Sequence, residues 1–231
     1  MSAITDLCNL GSTNHPVMKK TKLTILILSL LFYSSLSMGQ VTLGAFGGLN
    51  SSKLSGDASA KGSYKSLMGG NFGALIDVKL TEGFYLSLQP SYSQEGTRVF
   101  YSVQGEKELV DSVKIRLNYF SLPLLLKITS TNERFYAISG IETGLLLNAS
   151  TIIGEDKEEL ADVSQWNIAV HFGAGIRIPV GYPSIFVELR YSQGLLNLTD
   201  QPLNTNIIPR VKTAGFKILA GVEFPLGKAK K

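Results

Sequence analysis

Apolar and polar residues alternate one by one along most of the chain after residue 40. In WNIAVHFGAGIRI, residues 166–178, one set of alternate positions is Trp166, Ile168, Val170, Phe172, Ala174, Ile176 and Ile178. The other set is Asn167, Ala169, His171, Gly173, Gly175 and Arg177. Successive side chains of a β-strand point to opposite faces, so this period predicts a strand with one apolar face. The same reading predicts strands at about 41–50, 70–80, 83–95, 113–128, 134–148, 164–180, 184–195 and 212–226. No stretch of comparable length carries a helical period, although EDKEELADV allows one exposed turn.

The connections between these strands sort by parity. Long ones, about 51–69, 96–112, 149–163 and 196–211, follow the first, third, fifth and seventh strands. Short ones, around Thr81-Glu82, from Ser130 to Glu133 and from Gly181 to Pro183, follow the second, fourth and sixth. An up-and-down barrel with all its tight turns at one end has this alternation, whereas a Greek-key sandwich has no reason to show it. The expected fold is all-β: an eight-stranded antiparallel up-and-down transmembrane β-barrel.

Two environments compete for the apolar face, the inside of a soluble binding barrel and the lipid around a membrane barrel. Small residues separate them. Gly44, Gly48, Gly73, Gly140, Gly144, Gly173, Gly175, Gly215 and Gly221 all fall on the polar face. A narrow lumen filled by its own side chains has a use for such residues, and a water-facing exterior has none. Turning the sixth strand over would also put Arg177 into lipid, at about 2–4 kcal/mol near the midplane. The bulky face is therefore assigned to lipid and the small and charged face to the lumen. With the short turns in the periplasm, Phe84, Phe135, Tyr182 and Phe224 fall near one membrane interface, and Tyr92, Trp166 and Tyr191 near the other, as aromatic girdles do. The fourth strand, VKIRLNYFSLPLLLKI, fits least well, and a phase slip with a bulge at Pro123 is expected there.

Upstream, MKKTKLTILILSLLFYSSLSMGQ (18–40) has a basic start (Lys19, Lys20, Lys22), an apolar run too short to span a bilayer as a helix, and small residues after it. This is the layout of a secretory signal peptide with cleavage at Gly39 or Gln40. Residues 1–17 read as an upstream extension of the gene model, 18–39 as the signal peptide and 40–231 as the barrel domain. Without residues 1–39 the chain has 19 basic and 17 acidic residues, a balance that offers nothing to nucleic acid. The one cysteine, Cys8, lies upstream of the expected cleavage, so neither a disulfide framework nor a cysteine metal site can form.

Four stretches carry a family resemblance. LNYFSLPLLLKI (117–128) resembles the Y-L-x-I-P-L-L-L-K segment of the PorT-like outer-membrane β-barrel family of Bacteroidetes. VELRYSQGLLNL (187–198) is similar to that family's R-Y-x-x-G-L-x-N stretch, and a Gly-rich first strand (LGAFGGLN) and a Gly-containing last strand (ILAGVEF) also fit. Ser121 stands where the family often has an acidic residue, and the chain ends in GKAKK after Phe224-Pro225-Leu226. The resemblance implies an outer-membrane location and an eight-stranded barrel. It implies little about activity; the namesake takes part in protein secretion across the outer membrane.

The chemistry on offer is limited. His171 is the single histidine after residue 39. It invites a reading as the base of a lipid-modifying outer-membrane enzyme, but no nucleophile–base–orienter set can be assembled from the spacing, and no second ligand completes a zinc site. GAFGGLN and GAGIRI do not match a phosphate loop and lie in strands. Asp77, Lys79, Glu142, His171, Arg177, Glu188, Arg190, Lys217 and Glu223 are instead expected to form a polar network that plugs the lumen, the alternative being an ion path lined by the same residues. No catalytic residue, metal or cofactor is assigned. The expected partners are outer-membrane lipid and proteins of the outer membrane or periplasm met through the long loops. The leading reading is a non-enzymatic interaction or accessory component of secretion or envelope maintenance. A small pore, the His171 enzyme and a soluble periplasmic barrel are the alternatives.

Overall fold

The computed structural model describes residues 41–56, 62–101, 112–154, 156–160, 163–198 and 211–226. The expected signal peptide and its cleavage residues Gly39 and Gln40 lie outside these. Ten strands form one antiparallel sheet: β1 (Val41–Gly56), β2 (Gly62–Thr81), β3 (Phe84–Leu88), β4 (Ser91–Tyr101), β5 (Ser112–Thr129), β6 (Phe135–Ile153), β7 (Asp156–Glu159), β8 (Trp166–Pro179), β9 (Ser184–Gly194) and β10 (Val211–Pro225). β1 pairs with both β2 and β10, and the β5–β6 pairing closes the ring. A closed ring leaves no lipid-exposed edge, which a bilayer-spanning sheet requires.

Ten strands replace the eight expected for two reasons. The third expected strand is divided into β3 and β4, which share the neighbours β2 and β5 and keep one register across the gap: Leu88↔Leu124 before it and Ser91↔Ser121 after it. Two prolines cause the interruption. The Gln89 amide donates to the Pro123 carbonyl (3.0 Å) and the Ala74 amide to the Pro90 carbonyl (3.0 Å). An antiparallel pair of this kind exchanges two bonds, and neither Pro123 nor Pro90 has an N–H to return. The second addition is β7, which pairs only with β6 (Ile153↔Asp156 to Ser150↔Glu159) in a region read as loop.

The phase of β5 differs from expectation. Leu117, Tyr119, Ser121, Pro123, Leu125 and Lys127 are all buried, and Phe120, Leu122, Leu124, Leu126 and Ile128 are exposed, so alternation runs through Pro123 without a slip. The irregularity lies across the ladder: Asn118 faces Asn148 and Tyr119 faces Leu146, which leaves Leu147 as the extra residue of a bulge in β6.

The strands also outrun the expected boundaries at the long-connection end. β2 has 20 residues, about twice the roughly 9–11 that a tilted strand needs to cross a bilayer. The surplus includes the Lys65↔Arg98 and Arg98↔Lys114 pairings of β2, β4 and β5. Beyond the apolar band, backbone ladders hold without alternating hydrophobicity, so the period that marks the spanning part does not mark these extensions.

Outward positions make a continuous apolar belt of Leu43, Leu49, Phe72, Leu124, Ile141, Phe172, Leu189, Ile218 and their neighbours, all exposed. Two tyrosines mark one edge of it in the same way. Tyr92 packs on Phe72 and Tyr191 on Phe216, each with ring centroids 5.1 Å apart. Tyr92 accepts a hydrogen bond from Gln94 Nε2 (3.4 Å), and the Tyr191 hydroxyl donates to Gln193 Oε1 (2.8 Å). The next outward position after each tyrosine is thus a glutamine, where apolar surface gives way to polar. Tyr92 stands at the start of β4, with the rest of that strand running on beyond the belt's edge. Trp166 opens β8 at that same end. Phe84, Phe135, Tyr182 and Phe224 are exposed at the short-turn end, where the Tyr182 hydroxyl donates to the Pro225 carbonyl (2.6 Å).

Candidate functional site

The lumen is packed with side chains, and its charges fall into two groups. The group nearer the short turns centres on Lys127. Its Nζ lies 2.5 Å from Asp77 Oδ2 and 3.1 Å from Glu223 Oε1. Arg177 completes it, with Nε 2.6 Å from Glu223 Oε2 and Nη2 4.0 Å from Asp77 Oδ2. Two cations and two carboxylates therefore balance. Lys127 Nζ also sits 4.8 Å from the Tyr136 ring centroid, and the Arg177 guanidinium 5.9 Å from that of Tyr85.

The second group lies deeper. Arg190 binds Glu188 through Nε (2.9 Å) and Nη2, and its Nη2 also donates to Gln89 Oε1 (2.7 Å). Lys217 bridges Glu95 and Glu142, 3.4 Å from each. Ser121 Oγ donates to Glu142 Oε1 (3.3 Å), and His171 Nε2 is 3.2 Å from Glu142 Oε2 without hydrogen-bond alignment. Glu142, Glu188, Arg190, Lys217, Glu223, Asp77 and His171 are all almost completely enclosed.

Lys79 stands apart from both groups. It is one-third exposed at the short-turn rim, 3.5 Å from Glu133 Oε1, which also accepts a hydrogen bond from the Tyr85 hydroxyl (3.1 Å). Lys127 and Glu95 are members that sequence reasoning missed. Strict alternation through LNYFSLPLLLKI places Lys127 on the inward face, but the slip assumed at Pro123 hid it. Glu95 sat at the very end of its expected strand.

The lumen glycines admit rings more than charges. A Cβ at Gly175 would clash with Tyr136 Cζ and the hydroxyl oxygen it carries, and one at Gly221 would come 2.6 Å from Phe186 Cε1. Phe186 packs with Phe46, Leu75 and Leu219, and Tyr136 with Leu125 and Ile138. At the long-connection end, Leu117, Tyr119 and Ala149 pack with Ile115, Leu146, Leu160, Val163 and Leu198. Apolar plugs thus lie among and beyond the ion pairs.

The setting of His171 bears on the catalytic reading. Ser192 stands directly opposite it across the β8–β9 ladder and is buried, yet neither ring nitrogen hydrogen-bonds to the hydroxyl. Among the described residues no cluster of His, Cys, Asp or Glu has the arrangement of a metal site.

A family model described as "Outer membrane protein beta-barrel domain" matches residues 32–200. The chain belongs to that outer-membrane β-barrel family. The apolar belt is accordingly its surface toward lipid, and the bacterial outer membrane is its location. Solved structures similar to this barrel include Ail, the attachment invasion locus protein of Yersinia pestis, at 17% identity and TM-score 0.43, over 80% of this chain and 99% of that one. Neisserial surface protein A matches at 14% identity and TM-score 0.42, over 79% and 96%. OprG from Pseudomonas aeruginosa matches at 9% and 0.38, over 80% and 93%. No curated protein matches the sequence.

Proposed function

We propose that this family member is an eight-stave, closed, non-enzymatic barrel that anchors an interaction surface in the outer membrane. In this reading β3 and β4 are two halves of one stave, and β7 is a flap on β6. The short turns face the periplasm and the long connections face outward. The PorT-like motifs make secretion or envelope maintenance the processes to which such an anchor contributes.

One observation carries the reading: the charged groups that could line a conduit are spent on one another and sealed from solvent, as the enclosure of Lys127, Lys217, His171 and Glu142 records. Buried charges are tolerable when mutually paired, and opening a path between them would strip those partners. The same enclosure withholds His171 from any substrate. What remains free to meet other molecules is the outer surface and the strand extensions with their loops.

The test is purification of the tagged protein from native outer membranes in mild detergent, followed by planar-bilayer recording. The expected result is a stoichiometric protein partner and a silent bilayer. Steady single-channel conductance that disappears on Lys217→Met would replace the anchor with a pore.

A further inference from the structure

Just beyond the apolar belt, the outward face of β2, β4 and β5 carries a row of cations in register. Lys65 pairs with Arg98 across β2–β4, and Arg98 with Lys114 across β4–β5. Arg116 lies two residues from Lys114 on the same face. The facing is fixed by burial: Val99, Thr97 and Leu117 point inward, and Ile115 packs against the inward cluster, so Arg98, Lys114 and Arg116 point out. Lys65 Nζ lies 4.5 Å from the ring centroid of Phe100, which shares the face of Arg98.

Like charges placed directly opposite each other across strands destabilise a sheet. Among the described residues none of these four cations forms an ion pair with a carboxylate; the outward Glu159, on β7, takes a hydrogen bond from Asn148 instead. Among the described residues the row is therefore a concentration of positive charge, and an anion spanning it lowers its electrostatic cost.

We propose that this row binds the phosphorylated headgroup of a glycolipid in the outer leaflet, with its acyl chains lying on the belt below, against Phe120 and Leu122. Height selects the ligand class. A strand tilted by about 40° climbs roughly 2.5 Å per residue. Arg116 thus stands about 10 Å, and Lys114 about 15 Å, beyond Phe120, the last apolar outward residue of β5. The headgroup layer of an ordinary phospholipid bilayer is only about 5–8 Å deep on each side. A glycolipid whose phosphates ride on sugars meets the whole row, and a phospholipid phosphate meets at most an Arg116 side chain bent toward the membrane. Arginine and lysine in one row offer both bidentate and point-charge contacts to phosphate. The proposal rests on the outward orientation of the long connections, but the binding it describes is measurable in either orientation.

The test uses the full barrel folded in neutral detergent and titrated with bisphosphorylated lipid A, read by native mass spectrometry. Dephosphorylated lipid A and phosphatidylglycerol are the comparison probes. Arg98→Ser combined with Lys114→Ser is expected to weaken binding of the phosphorylated glycolipid by about tenfold or more. Lys53→Ser with Lys212→Ser, an equal loss of charge on β1 and β10, is expected to change it less than twofold. Equal losses in the two double variants would reduce the row to general surface charge and overturn the proposal. So would equal affinity for the dephosphorylated lipid or for phosphatidylglycerol. Folding of each variant is checked by heat-modifiable gel mobility, and Arg98→Lys, which retains charge, is expected to keep most of the affinity.

Discussion

Lys127 of β5 and Asp77 of β2 meet inside the lumen with Nζ 2.5 Å from Oδ2, and both are sealed from solvent. They are 50 residues apart in sequence, on strands that do not pair with each other. β3 pairs with both strands and lies between them, so this contact reaches over one strand, while Lys127 Nζ also meets Glu223 of β10 (3.1 Å) and so ties parts of the wall that no backbone ladder joins.

Removing that tie should be costly. Lys127→Met leaves Asp77 and Glu223 facing each other with Arg177 alone, and breaking a buried pair in this manner costs about 3–5 kcal/mol. Lys79→Met removes a partly exposed cation at the rim and should cost under about 1 kcal/mol. Guanidinium unfolding of both variants in phospholipid vesicles checks the contrast; similar losses would mean that the inner group is not the stabilising one.

Charge reversal tests the deeper group. Glu188→Lys places a second cation against Arg190 in an enclosed site and is expected to lower the unfolding midpoint or prevent folding, with Glu188→Gln intermediate. An unchanged midpoint for Glu188→Lys would show that the lumen relaxes around its charges, and the ion-pair plug would have to be abandoned.

Neighbouring leucines on β5 should respond to different environments. Leu124 is exposed on the belt and Leu125 is completely buried in the lumen. Leu124→Arg should cost about 2–4 kcal/mol in a bilayer and much less in detergent micelles, which adapt around the charge. Leu125→Arg should be damaging in both. Equal behaviour in the two media would contradict the assignment of faces.

Gly175 is a steric test. A Cβ there would clash with the phenol end of Tyr136, and that ring packs with Leu125 and Ile138 and against the Lys127 ammonium. Gly175→Ala is expected to cost about 1–3 kcal/mol through overpacking. Adding Tyr136→Leu should recover part of it, giving favourable coupling in a double-mutant cycle.

Much of this architecture is written in residue alternation, because a belt facing lipid and a lumen facing itself impose opposite demands on successive residues. β8 and β10 could be read off directly for that reason. The alternation carries less where both faces accept apolar residues. On β5 the lumen face holds Leu117, Tyr119 and Leu125, so Lys127 was not legible as an inward charge beside the run LPLLLK. The break at Gln89-Pro90 was equally hidden, because it depends on Pro123 standing opposite in the register. Strand extensions above the belt, including β7 and the stretches that carry Lys65 and Arg98, are polar on the outside and read as loop until their pairing is known.

The proline pair has a mechanical consequence. Pro90 and Pro123 each withhold one amide from the wall, so the carbonyls of Ala74 and Gln89 receive no return bond across the ladder, at a depth where lipid offers no substitute. A regular rung of this kind is laced twice; here two adjacent joints, β2 to β4 and β3 to β5, are each laced once. A stretched or partly unfolded barrel should part along that line first, and amide exchange in the staves flanking it should run ahead of exchange around the rest of the circumference.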